Sequence, residues 1–341
     1  MTPLLLGLAA YAAVFAAFGP RLLRACARRH RAAPRVGLVL WTALPTSWIV
    51  ALLAVGLAAT AHLSGGLGLA GLLHACLRAV RAILTVHHPA DVPAAVALLG
   101  SLAILLRLGW TTARQIHHNR RRRTKHRREV RALMRTAHRC GQRFSIIDSA
   151  TLVAYCVPGR RSEIVLTTGV LRGLPRDQIC AVVAHEQAHL RGRHHLYVTW
   201  GSILATAFPF VPLLRRAPHE LARLVEWVAD DQASARHGSH SVARALATMA
   251  TALPASTGAA PRAALSATGS DVLDRVRRLV EPQPANPGSR WSTRTAITAP
   301  LLTLAAAAAV LLPAATADPT PLCQGGQPPP QSSSQADRTA T

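Results

Sequence analysis

The feature that most limits the folds open to this chain is a set of long runs free of charge apart from Arg107, at about residues 3–19, 36–61, 92–110 and 295–317. Each is long enough to cross a bilayer as a helix. With 50% apolar and 16% charged residues and a mean hydropathy of +0.22, the 341-residue chain reads as a mainly α membrane protein. Arginine marks the sides. Six Arg fall between Arg21 and Arg35 with no acid among them, and eleven Lys or Arg fall between Arg114 and Arg139 against Glu129 alone. Basic flanks of this kind stay in the cytoplasm. The first run is therefore expected to be a reversed anchor rather than a signal peptide, whose charge would precede its apolar stretch.

Four spans then follow, in a multi-pass protein of the cell membrane with both termini outside. Residues 1–110 hold three of them. Between the second and third, Leu67 to Val86 alternates apolar and small residues around Arg78 and Arg81, as an extracellular amphipathic helix lying on the surface would, the other reading being a poor extra span. Arg107, near the end of the third run, can snorkel to the interface. Residues 318–341, rich in Pro, Gln and Ser, are expected to be a disordered extracellular tail. The net charge of +24 is accounted for by topology and attraction to the lipid bilayer. The basic run has no aromatic residue for stacking on bases, so no direct nucleic-acid partner is expected.

Residues 111–294, between the third and fourth spans, are enough for a domain with its own core. Here His185-Glu186-Gln187-Ala188-His189 forms an HExxH sequence in a helical setting, with Pro175 ahead of it and Ile179, Val182, Val183 and Leu190 as an apolar stripe. Residues four apart share a helix face, so His185 and His189 can ligate one Zn2+, with Glu186 placed as general base. Two residues compete as third ligand. His195 completes a literal HExxHxxGxxH with Gly192, the spacing of the secreted metzincins, for which Met249 offers a weak Met-turn. Glu226, 37 residues beyond His189, lies on a second amphipathic helix with Leu221, Leu224, Val225 and Val228, one turn before Asp230, which can accept a hydrogen bond from a ligand histidine.

In Ala154-Tyr155-Cys156-Val157-Pro158-Gly159-Arg160-Arg161, Ile164 to Gly169, the HEQAH helix, the Glu226 to Asp230 helix and the order of its spans, the chain resembles the BlaR/MecR-type membrane metallopeptidases, relatives of the HtpX-type proteases. The resemblance implies a cytoplasmic α+β domain of the gluzincin kind, with one zinc held by His185, His189 and Glu226, Glu186 as general base and Asp230 behind a ligand. It also implies a protein or peptide substrate, such as a winged-helix repressor of the BlaI/MecI kind cleaved in signalling. Quality control of membrane proteins, as in HtpX, is the alternative, and a signalling scaffold with a structural zinc site is the non-enzymatic one. The penicillin-binding sensor domain of the β-lactam receptors is not expected here, since residues 318–341 stand in its place.

Three further expectations concern the same region. Thr151 to Val157 and Ile164 to Thr168 read as strands about the Pro158-Gly159 turn, serving as support or as an edge for a peptide. Cys140, Cys156 and Cys180 read as buried small hydrophobes on the reducing side, while Cys76 and Cys323 could pair outside. Leu196 to Leu214 is uncharged and long enough to span, yet a single crossing would put Glu226 on the wrong side of the membrane from the two histidines. Residues 196–214 are therefore expected to dip into the membrane and return, helped by Pro209 and Pro212.

Overall fold

The computed structural model describes residues 31, 33–64, 69–85, 91–131, 135–159, 162–252 and 269–281. The expected spans at 3–19 and 295–317, the tail and Cys323 lie outside the described residues. Helices α1 (Pro34–Ser64), α2 (Leu69–Thr85) and α3 (Val92–Arg131) come first. Two of them are long and apolar enough to cross a membrane, over Pro34–Ala61 and Val92–His126. α1 and α3 cross closely at Gly56, where an added Cβ would sit 1.9 Å from Ser101 Oγ. α2 fits against both through Ala75 and Ala79, which meet Ala59, Leu63, Ala95 and Leu98. Its other face leaves Leu73, Leu77 and Leu84 exposed beside Arg78 and Arg81.

α3 does not stop at Trp110. It runs through the basic segment to Arg131, because a stretch rich in Arg, Lys and His has good helix formers and no breaker after Gly109. Arg107 also differs from expectation, since its Nε donates to the Ala207 carbonyl at the end of a later helix instead of reaching outward.

A four-stranded sheet follows in the order β1-β2-β4-β3, from β1 (Arg135–Arg139), β2 (Gln142–Ile147), β3 (Ala154–Val157) and β4 (Glu163–Thr167). β1 and β2 form a hairpin whose two-residue turn, Cys140-Gly141, has φ of 55° and 69°. Both central residues with positive φ make the turn whose twist matches paired strands. β2 runs parallel to β4, and β3 runs antiparallel to β4 at the edge. The β1–β2 hairpin was not expected, and Thr168 begins α4 (Thr168–Gly173) rather than ending a strand.

The remaining helices are α5 (Arg176–Arg191), α6 (His194–Ala207), α7 (Pro212–His237), α8 (Ser239–Thr251) and α9 (Gly269–Val280). α5 lays Ile179, Val182 and Val183 on Phe144, Ile164, Leu166 and Val170 of the sheet side, and Met249 joins this core from α8. On its other side Ala181 and Ala184 meet Ala233, Val242, Ala243 and Leu279, small residues that let four helices approach. α6 and α7 form a helical hairpin that reverses at Phe208–Val211, with Pro209 in the turn and Pro212 opening α7. Its arms meet at Gly201, where a Cβ would lie 3.1 Å from Pro218 backbone atoms. The tip packs on the first half of α1 and the middle of α3, with Leu38, Trp41, Leu44 and Trp48, and Ile104 and Leu108 beside them, against Leu204, Phe208 and Leu213, while Phe210 stays exposed.

Candidate metal centre

Packing sets the rotation of α5. With its apolar stripe on the sheet, His185 and His189 turn toward α7, whose own buried Leu221, Leu224, Val225 and Val228 leave Glu226 and Asp230 facing them. His185 Nε2 and His189 Nε2 are 3.0 Å apart, and each lies 3.4 Å from a Glu226 carboxylate oxygen. Ligand atoms about 2.0–2.1 Å from a tetrahedral zinc are separated by about 3.3 Å, so this triangle matches the donor set of one ion. Among the described residues, His185, His189 and Glu226 are the group whose donor atoms converge in this way.

The outward nitrogens are also engaged. His185 Nδ1 is 3.0 Å from Asp230 Oδ1, a carboxylate buried to 0% exposure. His189 Nδ1 is 3.0 Å from Nδ1 of the buried His194. Glu186 meets the thiol of Cys156 on β3, which donates to its carboxylate. Cys156 is thus a contact of the expected general base and not a plain core residue.

Arg275 on α9 was not anticipated. Its Nε and Nη2 donate to Asp230 Oδ2 and Oδ1 at 2.8 and 2.7 Å, and its Nη1 lies 2.9 Å from Glu226 Oε2. α9 is anchored in turn by Arg278, which grips Asp231 at 2.7 and 2.9 Å and donates to the Arg31 carbonyl, while Arg31 pairs with Asp274. Nothing in the spacing of one Arg within a chain of 39 Lys and Arg marks it out.

Burial opposes charge throughout the site, and the neighbours decide which groups keep it. For His185 the Asp230 and Glu226 carboxylates outweigh burial and push the ring up to about 10. For His189 burial prevails, helped by His185 and Arg275, and holds the ring down at about 4. His194 is likewise held at about 4 by burial and by His189. Burial would raise Asp230, but Arg275 brings it down to about 2 and keeps Glu226 well below the usual carboxylate range. Glu186 is raised, by burial above all.

His195 is not brought to this cluster. It begins α6 with Arg123 and Arg193 as its charged neighbours, and burial followed by these two cations lowers its pKa. Gly192 has a different use from the one the metzincin spacing suggests, because a Cβ there would lie 2.3 Å from His194 Nε2. The cysteine reading is corrected as well. Cys140 in the β1–β2 turn and Cys180 on α5 are joined as a disulfide with Cα atoms 5.4 Å apart, whereas Cys76 and Cys156 are free. Two thiols 40 residues apart with no motif around them carried no sign of this pairing.

The family model of peptidase family M48 matches residues 120–217, a stretch that includes His185, Glu186 and His189 and ends before Glu226. The match supports a metallopeptidase, and the two long apolar helices are consistent with a membrane protein. No curated protein and no solved structure matches the chain.

Proposed function

We propose that this chain is a membrane-embedded zinc endopeptidase whose active site lies at the cytoplasmic face. The observation that carries the proposal is the convergence of His185 and His189 Nε2, 3.0 Å apart, on the Glu226 carboxylate, whose two oxygens each lie 3.4 Å from one of the rings. Lone pairs of two imidazoles and a carboxylate brought this close repel one another unless a proton or cation stands between them. When bound, zinc supplies Lewis acidity to water and to the scissile carbonyl.

The chain's own groups then have distinct tasks. Glu186, its pKa raised by burial, takes the proton of the attacking water on its carboxylate and delivers it to the leaving nitrogen. Asp230 accepts from His185 Nδ1 and keeps the other ring nitrogen free for the ion. Arg275 offsets the negative charge of Asp230 and Glu226. β3 has β4 on one side in the sheet, so its other edge can take an extended peptide beside Glu186. Purified Glu186→Gln protein that keeps wild-type zinc content and loses cleavage of a casein or repressor substrate supports an enzyme. Equal behaviour of the two proteins, both loaded and both inactive, supports the scaffold reading.

The membrane arrangement belongs to the same proposal: four spans, both termini outside and the α6–α7 hairpin entering the cytoplasmic leaflet. Trp48, which stacks edge-on against Phe208 at 5.8 Å, lies thirteen residues into α1 from Arg35, or about 20 Å along a helix. On this topology the hairpin tip sits deep among acyl chains, and the exposed Phe210 faces them. Cysteine labelling at the exposed Arg216 tests it, a better probe than the fully buried neighbour Ala217. Labelling from outside the cell alone would overturn the arrangement.

For the substrate, the resemblance to BlaR/MecR-type proteins points to a BlaI/MecI-type repressor. The hairpin's contact with both long apolar helices favours membrane-protein substrates as the second reading. Comparing the proteomes of cells carrying wild type and Glu186→Gln separates the two. One stabilised regulator indicates signalling, and a set of stabilised membrane proteins indicates quality control.

A further inference from the structure

The two histidines of the cluster are held in different ways. Asp230 stands behind His185, but behind His189 there is a second imidazole, His194, and the local backbone is shaped to hold it. His194 is 3% exposed, stacks edge-on against His189 with ring centroids 4.9 Å apart, and brings its Nδ1 to 3.0 Å from His189 Nδ1. Two neighbours clear the space. Gly192 lies so close that a Cβ there would be 2.3 and 2.5 Å from Nε2 and Cδ2 of the ring, and Arg193 takes a left-handed φ of 48° to start α6. A non-glycine residue in that conformation is strained and is held in place by surrounding contacts.

Proton bookkeeping gives this contact a direction. His189 turns Nε2 toward His185 and Glu226, so that atom must keep its lone pair for an ion and the ring's proton must sit on Nδ1. Nδ1–H then donates to His194 Nδ1, and His194 carries its own proton on Nε2. We propose that His194 is a positioning residue for His189, selecting the tautomer and ring orientation in which His189 can ligate metal. This rests on the zinc reading of the site. An imidazole in this role supplies an acceptor without adding charge to a pocket that already holds Glu186, Glu226 and Asp230 against Arg275. The HxxGxxH spacing points to His195, one residue beyond the ring that meets His189.

The test is zinc affinity, measured by chelator competition on the full chain in nanodiscs, with the cobalt absorption spectrum as a second readout. His194→Phe keeps the ring and removes the acceptor, and should weaken zinc about 10–100-fold. His194→Asn places a side-chain oxygen where Nδ1 stood and should stay within about threefold of wild type, with an unchanged cobalt spectrum. Gly192→Ala, which displaces the ring, should resemble Phe. Wild-type affinity in His194→Phe, or a tenfold or greater loss in His194→Asn, overturns the inference even if one variant folds poorly. Failure of the wild-type chain itself to bind zinc overturns the zinc reading beneath it, and is a distinguishable result.

Discussion

Replacing Arg275 with Met should make the protein less stable and yet tighten its hold on zinc. The guanidinium is 9% exposed, fixed on Asp230 by two hydrogen bonds of 2.7–2.8 Å and 2.9 Å from Glu226. Met retains most of the buried volume and removes the charge, leaving two carboxylates one helical turn apart with His185 as their remaining cationic partner. Removing one member of such a buried group costs roughly 3–5 kcal/mol. In a domain of this size that corresponds to about 10 °C in Tm. With zinc bound, the ion's charge offsets Glu226 and the loss should be about half as large. The thermodynamic cycle then requires folded Arg275→Met to bind zinc more tightly by roughly 1.5–2.5 kcal/mol, or about ten- to seventyfold. Thermal unfolding with chelator and with zinc, together with chelator competition on the folded protein, measures both legs. A destabilised variant that binds zinc more weakly would refute the charge argument and make Arg275 a purely geometric support for Glu226.

Zinc binding should release about one proton per ion at pH 7, read by calorimetry in buffers of different ionisation enthalpy. That proton comes from His185, whose pKa of about 10 in the metal-free protein leaves it charged, while His189 at about 4 and Glu226 are already deprotonated. The sign follows: affinity should rise about tenfold per pH unit from about pH 5 to 9 and flatten as pH passes 10. The Cys140–Cys180 link closes a loop of 40 residues, so Cys180→Ser should lower stability by about 4 kcal/mol under oxidising conditions and by far less in reductant, as read by Tm. Trapping the cysteines in intact cells by alkylation should find these two as thiols if the domain is cytoplasmic, and a permanently oxidised pair would place it outside. Arg193→Gly relieves a φ of 48° and should leave Tm unchanged or raise it slightly, and a fall of several degrees would mean that the Arg193 side chain matters more than its backbone.

What could be read beforehand was what repeats with a helix's period. The i, i+4 spacing brought His185 and His189 to one face, and the apolar stripe of the Glu226 helix oriented it toward them, because burial of a stripe leaves little freedom of rotation. Over residues 196–214 the chain runs out along α6 and turns back into α7, so His185, His189 and Glu226 end up together. The β1–β2 hairpin carries no clear sign because Arg135, Arg139 and Arg143 continue the basic composition of α3, and β1 is mostly exposed. Arg275 and His194 were hidden for opposite reasons. The first lies 49 residues past Glu226 with no periodic relation to it, and the second stands beside a histidine that satisfied a familiar spacing. The Cys140–Cys180 contact depends on how the hairpin folds over α5, which no local pattern records.

The α6–α7 hairpin acts as a ruler. α6 carries the chain away from the HEQAH helix for 14 residues, about 21 Å, and α7 carries it back from Pro212 to Glu226 over nearly the same length. One added residue in either arm would turn everything beyond it by about 100° and move it about 1.5 Å, far outside the roughly 0.2 Å that a zinc ligand tolerates. A residue added in the turn at Phe208–Val211 changes neither register. Proteins built to this plan can therefore vary the reach of the hairpin only by lengthening both arms together, in steps close to whole helical turns, so that the arm lengths should take a few discrete values while the turn between them varies freely.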